Sequence, residues 1–303
     1  MLRFDGRAAI VTGGGRGLGR AYARLLADRG AQVVVNDLGT DLFGDHPDSA
    51  TAEAVAAEIT AAGGRAVANV NSVATTEGAN AIVETALRAF GRVDIVINNA
   101  GTTGKSPFPE LTGERLAATL ASHLLGSVAV CQAAWGPMRR QRYGRIVNTT
   151  SAVGFFGMDH ATAYAAAKMG VFGVTRCLAL EGEPLGIRVN GLAPVAETRM
   201  ARGVYGALGP RLDPDLVAAA AALLAHEDCP FTGRVLTAGG GRVGEIFIGA
   251  TQGYFDPRLT PEAVRDHLGE VLDPTDFAVP EDAMAEVELT AARYGVTVDG
   301  RRE

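Results

Sequence analysis

Cysteine is scarce in this chain, with three residues, Cys131, Cys177 and Cys229, far apart among 303. Such spacing makes neither a zinc site nor a disulfide framework. No metal is expected, and a reducing compartment, the cytoplasm, is the simplest expectation. Basic runs are missing as well, and 28 basic against 34 acidic residues leave a net charge of −6. Nucleic acid is therefore excluded as a partner. The N-terminal stretch has no long apolar signal core, and no later segment reads as apolar over the ~18 residues of a membrane span. Neither secretion nor contact with a membrane is expected. The final VDGRRE is not a peroxisomal address of the Ser-Lys-Leu kind. Internal repeats are absent, as is any linker long enough to separate two independent domains. Glycine, in contrast, is abundant at 39 residues, within a composition that is 47% apolar and 20% charged. That is the make-up of a globular protein with many tight turns.

Short apolar runs alternate with helical patterns along the chain. Residues 8–12 (AAIVT), 32–37 (QVVVND), 66–70, 93–97 (VDIVI), 145–150 (RIVNTT), 187–192 and 234–238 read as buried strands by length and flanks. Helical patterns cover 50–62, 75–90, 112–142 with an interruption near Gly136 and Pro137, 162–181 and 216–225. Strand–helix alternation predicts a doubly wound, seven-stranded parallel sheet of the Rossmann type. In such sheets ligands lie beyond the carboxyl ends of the strands. Gly13, Asp37, Asn98, Ser151 and Pro194 all fall on that edge by this reading.

The first strand runs into Gly13-Gly14-Gly15-Arg16-Gly17-Leu18-Gly19 and then a helix. That order suits a pyrophosphate, because glycines let the backbone approach and a helix start offers free N–H groups. Asp37 follows Gly19 by 18 residues, close to the ~20-residue offset at which an acid meets the adenosine ribose hydroxyls. Its carboxylate would repel a 2′-phosphate and so favours NAD over NADP. Arg16 pulls the other way, and Asp37 is weighted more because it would touch the discriminating hydroxyl directly. The turn-rich residues 38–49 read as a solvated surface insertion rather than a metal site.

Ser151 stands at the end of the fifth strand, and Tyr164 and Lys168 follow on an alanine-rich helix at i and i+4, one above the other. An ammonium beside a phenol favours the phenolate, so a lowered tyrosine pKa is expected. Such a tyrosine can exchange a proton with an alcohol or carbonyl near neutral pH.

These residues in this order resemble the classical short-chain dehydrogenases/reductases. The resemblance is carried by the glycine loop from Thr12 to Gly19, Asn98-Asn99-Ala100-Gly101, Ser151 and Tyr164-Ala165-Ala166-Ala167-Lys168. It implies that Thr12, Gly13, Arg16, Gly17, Leu18, Gly19 and Asp37 line the cofactor with Ala100, Gly101 and Pro194. Asn98 would brace the adenosine side, Asn71 and Val73 would touch the adenine, and Thr198 would lie near the nicotinamide amide. Ser151 would hold the substrate oxygen, Tyr164 would be the acid/base, and Lys168 would lower its pKa and bind the nicotinamide ribose. Two positions depart from the pattern. His123 stands where an asparagine usually anchors a relay water, and Val195 stands where glycine usually follows the proline.

A narrower resemblance, in VVVNDLG, HLLGS, AAWGPM and TPEAVRDHLGEVLD, is to the (3R)-hydroxyacyl-CoA dehydrogenase units of peroxisomal multifunctional enzymes of type 2. It implies an NAD-dependent oxidoreductase acting on a (3R)-3-hydroxyacyl-CoA/3-oxoacyl-CoA pair. Oxidation of a steroid or other secondary alcohol, and a cofactor-binding regulator without catalysis, are the alternatives. Residues 1–238 are expected to form the cofactor-binding domain and 239–303 an extension packed on it, with helices near 261–272 and 280–294. The irregular residues after Pro194 are a candidate substrate lid. Small apolar residues around Ala161, Ala163, Ala165 and Ala166 lead to the expectation of a homo-oligomer, a dimer or tetramer.

Overall fold

The computed structural model describes residues 1–103 and 105–298. They fall into two compact units, Met1–Glu245 and Ile246–Glu303. The first alternates strands and helices: β1 (Ala8–Thr12), α1 (Gly17–Asp28), β2 (Gln32–Asn36), α2 (Ala50–Ala61), β3 (Arg65–Asn69), α3 (Thr76–Phe90) and β4 (Ile95–Asn98). Then come α4 (Gly113–Leu120), a π-helical turn over Ala121–Leu125, α5 (Gly126–Gln141), β5 (Gly144–Thr149), α6 (Ala152–Phe156) and α7 (Thr162–Gly182). β6 (Ile187–Pro194), α8 (Pro214–Ala225), β7 (Val235–Gly239) and β8 (Arg242–Ile246) complete the sheet.

The strand order is β3-β2-β1-β4-β5-β6-β7-β8, and the pairings from β3 to β7 are parallel. β1, β2 and β4 are largely apolar along their length because helices cover both sheet faces. Successive side chains alternate between those faces. Ala9 and Val11 pack with α1, α2 and α8, whereas Ile10, Val34, Val96 and Ile146 pack with α3 and α5. Helix ends are set locally. Thr75 caps α3 by accepting from the Gly78 N–H, and Gly91 closes it in the left-handed region at φ 75°. Asp213 caps α8 with Pro214 at its first position. The sheet order reverses direction between β1 and β4, which opens a crevice at their carboxyl ends.

The structure differs from the sequence expectation in several places. The seven expected strands are present, and β8 adds an eighth beyond the two-residue link Gly240-Gly241, both at positive φ. A two-residue link can only join antiparallel neighbours. Residues 239–245, expected in the extension, thus belong with the sheet. The long helix is not interrupted at Pro137, which lies inside α5. It is interrupted instead by the π turn, where one extra residue is accommodated between α4 and α5. That composite helix, Gly113–Gln141, is also long and apolar enough to cross a membrane by length and composition alone, contrary to the reading of the sequence. Here Val130, Cys131, Ala134 and Met138 of α5 are buried in the core beside the sheet.

The second unit holds a short antiparallel pair, β9 (Ala250–Thr251) with β10 (Phe277–Ala278), and three helices. The expected helix over 261–272 is two pieces, α9 (Pro261–Asp266) and α10 (Leu268–Val271), broken at His267. The His267 ring stacks on Tyr254 with centroids 3.9 Å apart. α11 (Ala283–Arg293) follows, capped by Asp282. The last five residues of the expected extension, 299–303, and the VDGRRE terminus with them, lie outside the described residues from 299 onward.

Candidate active site

Helix α7 sets the centre of the site. Tyr164 and Lys168 lie one turn apart on its sheet-facing side, and the Lys168 Nζ stands 5.7 Å from the Tyr164 ring centroid. Lys168 is buried, and its ammonium donates to the Thr149 carbonyl at 2.6 Å. Burial pulls its pKa down to about 7. Ser151 caps α6, with its Oγ accepting from the Val153 N–H at 3.2 Å. For Tyr164 the sequence expectation is reversed: burial pushes the phenol pKa up, and the hydrogen bond with Ser151 pulls it down only in part. Desolvation of the phenolate outweighs that hydrogen bond.

His123 comes to this centre through the π turn. Its ring meets Tyr164 edge-on at 5.1 Å and 88°. Nε2 lies 2.8 Å from the Thr102 carbonyl and 3.1 Å from the Thr102 N–H. Nδ1 is buried with no hydrogen-bond partner among the described residues. Burial, then the charge of Lys168, lowers the imidazole pKa to about 3, so the ring is neutral at physiological pH. Gly101 makes room for it, since a Cβ there would overlap the ring.

The glycine loop begins where β1 ends. Gly13 has φ +62°, and a Cβ on it would come within 2.9 Å of the Ala100 Cα. A Cβ on Gly19 would collide with the Gly13 carbonyl. These two glycines let the loop fold onto the start of α1. Arg16, at the helix start, provides no side-chain cap, and the first turn has no acid, so its N–H groups face outward uncompeted. That is the donor set a pyrophosphate requires. The Asp37 carboxylate accepts the Gly15 N–H at 2.9 Å and the Gly39 N–H at 2.7 Å, which fixes it beside the loop. Arg16 reaches away, to the Thr40 carbonyl at 2.9 Å and the Thr51 hydroxyl at 2.8 Å. Thr198 lies close to Gly17, within 3.5 Å of where a Cβ would be. Leu18, Pro194 and Thr198 line the same cleft of about 180 Å³ as Ser151, Tyr164, Lys168, His123 and Gly101. The residues present therefore fit a dinucleotide.

Several expected contacts are placed otherwise. The Asn98 side chain is buried and donates to the Asn148 Oδ1 at 2.9 Å, inside a network that continues from Asn148 to Thr175. It braces β4 against β5 rather than facing a ligand. Its neighbour Asn99, which the sequence reading passed over, lines the cleft and donates to the carbonyls of Thr12 and Gly13 at 3.0 and 3.1 Å. Thr12 is buried and its hydroxyl accepts the N–H groups of Asn99 and Ala100. Thr12 and Ala100 thus tie the two loops together. Val73 is buried against Gly126, and Asn71 is exposed with its carbonyl held by Asn36 at 2.9 Å. Both follow β3 on the same sheet edge. Val195 is accommodated because its neighbour is Gly239, on which a Cβ would collide with the Val195 carbonyl. Met158, Met200, Val204 and Tyr205 add an apolar and aromatic wall that the sequence did not single out.

Residues 7–206 match the short chain dehydrogenase family, and the chain belongs to that family. It is an oxidoreductase of a class that uses NAD(P)(H). Over 285 residues it is 42% identical to the peroxisomal multifunctional enzyme type 2 of Mus musculus, a match covering 92% of this chain and 38% of the mouse enzyme. It is 43% identical over 278 residues to a short-chain type dehydrogenase/reductase of Mycobacterium tuberculosis, covering 90% of this chain and 96% of that protein. The full-length peroxisomal multifunctional enzyme type 2 of Drosophila melanogaster has a similar structure. Its TM-score is 0.79 at 32% identity, over 97% of this chain and 50% of that one. The chain thus spans about a third to a half of these multifunctional relatives. The mouse and fruit-fly relatives are peroxisomal by name, which overturns the cytoplasmic location expected from the sequence. Free cysteines suit an organelle matrix as well as the cytoplasm.

Proposed function

We propose that the chain is an NAD-dependent dehydrogenase of a (3R)-3-hydroxyacyl-CoA and its 3-oxoacyl partner. The observation that carries the chemistry is the convergence of Ser151, Tyr164 and Lys168 on one cleft with Leu18 of the glycine loop. The choice of substrate is supported by the similarity to the type 2 multifunctional enzymes. The choice of NAD is supported by Asp37, fixed beside the loop, and by Arg16, whose guanidinium is occupied by Thr40 and Thr51. When bound, the nicotinamide supplies the hydride acceptor. In the oxidation direction, Ser151 positions the substrate hydroxyl and the phenolate form of Tyr164, favoured by the charge of Lys168, takes its proton. Lys168 holds the cofactor ribose and passes the proton outward through its Nζ. His123, neutral and edge-on to Tyr164, fixes the phenol ring. Asn99 holds the glycine loop to the loop after β4.

The chain is further proposed to act as a homo-oligomer. Leu125, Met169 and Leu180, on the π turn and α7, are substantially exposed, and a second copy would cover them. The test of the function is a nicotinamide absorbance assay with 3-hydroxyacyl-CoA thioesters, steroids and simple alcohols, each with NAD and NADP. Thioester oxidation with NAD is expected, and Tyr164→Phe should bind NAD normally while losing nearly all turnover. Most of the rate surviving that substitution would overturn the assignment of the acid/base. Turnover of steroids alone would overturn the substrate.

A further inference from the structure

Lysine occurs only twice among the 28 basic residues of the chain, at Lys105 and Lys168. Both line the cleft that holds Ser151 and Tyr164. No aspartate or glutamate lines it among the described residues, although the chain carries a net charge of −6. The cleft is a cationic recess in an anionic protein, and low-dielectric walls focus such a field. Lys168 sits at its inner end, buried and bonded to Thr149. Lys105 is different. It is exposed, on the loop between β4 and the turn Phe108–Glu110, and no hydrogen bond or ion pair holds it among the described residues. Met158, Met200 and Val204 give the same cleft an apolar wall. The reacting alcohol and ketone are neutral, so the counter-charge for Lys105 must be carried by another part of the ligand. Lysine suits a phosphate that approaches at varied angles, being a compact charge on a flexible stem with three rotatable donors.

We propose that Lys105 binds a phosphate on the carrier of the substrate, so that the cleft selects alcohols borne on a phosphorylated carrier over the same alcohols without one. The carrier chosen for the test, coenzyme A, rests on the thioester reading above. Lys105→Gln is expected to raise KM for a 3-hydroxyacyl-CoA roughly tenfold, the weight of one charge-assisted hydrogen bond. KM for NAD, kcat, and KM for the phosphate-free N-acetylcysteamine thioester of the same acid should not move, and Lys105→Arg should restore most of the loss. An unchanged KM for the CoA ester, or an equal rise for both thioesters, would overturn the proposal. A rise in KM for NAD alone would assign Lys105 to the cofactor and also overturn it.

A second measurement needs no turnover. Pyridoxal 5′-phosphate followed by borohydride should label Lys105, located by peptide mass mapping, while buried Lys168 stays unmodified. Coenzyme A should protect Lys105 and pantetheine, which lacks phosphates, should not. Protection by neither, or by both alike, would overturn the site even where thioester turnover is found. Protection by coenzyme A with no thioester turnover would uphold the phosphate site and sink the dehydrogenase substrate instead.

Discussion

Gly101→Ala is the perturbation that best tests how the site is assembled. Gly101 is not at positive φ, so its backbone tolerates a side chain. The obstacle is His123: a Cβ would overlap Cε1 and Nδ1 of the ring and lie 2.9 Å from Nε2. Ordinary carbon contacts need ~3.5–4.0 Å, so the ring must retreat by roughly 1.5 Å. It cannot do so freely, because Nε2 is held by Thr102 and the ring edge abuts Tyr164. Overpacking of this size costs about 1–3 kcal/mol. At ~2–4 °C per kcal/mol for a large domain, the melting temperature should fall by several degrees. Displacing Tyr164 by a fraction of that distance should lower kcat by about 10- to 100-fold, since misplacement by ~1 Å costs on the order of 100-fold. The assay is a four-member cycle of wild type, Gly101→Ala, His123→Asn and the double variant, each measured for kcat and thermal unfolding. The smaller amide should relieve the clash, so the double variant should recover most of the stability and part of the kcat lost by Gly101→Ala. Additive losses would refute the reasoning, because the alanine would then act on something other than the histidine ring.

Asp37→Ala should narrow the preference for NAD over NADP, read as the ratio of kcat/KM for the two cofactors. A wild-type preference for NADPH would reverse the roles given to Asp37 and Arg16. Lys168→Met should abolish turnover yet raise the melting temperature at pH 7, because an ammonium whose pKa burial lowers from 10.5 to about 7 costs stability. The sign follows from linkage. The unfolded chain holds this proton up to about pH 10.5 and the folded one only to about 7, so wild-type stability should rise with pH across that window. The methionine variant should lack that rise, and equal slopes for the two proteins by denaturant titration would contradict it. Light scattering at micromolar concentration should give at least a dimer, and a monomer would end the oligomer proposal.

The sheet was legible because β1, β2 and β4 hold short apolar runs closed by glycine or asparagine and spaced by helical patterns. Tyr164 and Lys168 were legible because i and i+4 fixes a shared helix face. Three features were hidden for definite reasons. The choice between Asn98 and Asn99 depends on the parity of the strand end: neighbouring side chains point to opposite faces, so Asn98 enters the core network and Asn99 the cleft. The π turn that delivers His123 breaks the 3.6-residue period on which helix faces are read, whereas Pro137, a nominal helix breaker, sits within α5 without ending it. β8 has a signal in Gly240-Gly241, a hairpin dipeptide, but seven alternating strands already make a full doubly wound sheet. The direction of the Tyr164 shift was out of reach altogether, since desolvation depends on what packs around α7 from distant parts of the chain.

That last point changes what the lysine is for. Burial drives both partners toward neutrality, raising the phenol and bringing the ammonium to about 7. A lysine at its ordinary pKa would be almost fully charged at neutral pH, able to stabilise a phenolate but rarely free to accept a proton. At about 7 it gains and loses one readily, so under the proposed mechanism Lys168 carries the proton that Tyr164 collects as well as favouring its removal. An arginine, which stays protonated in proteins, could supply the charge and the ribose contact but not that exchange. Under the proposed mechanism, a chain that uses arginine almost everywhere else places lysine at a buried position where that exchange can occur.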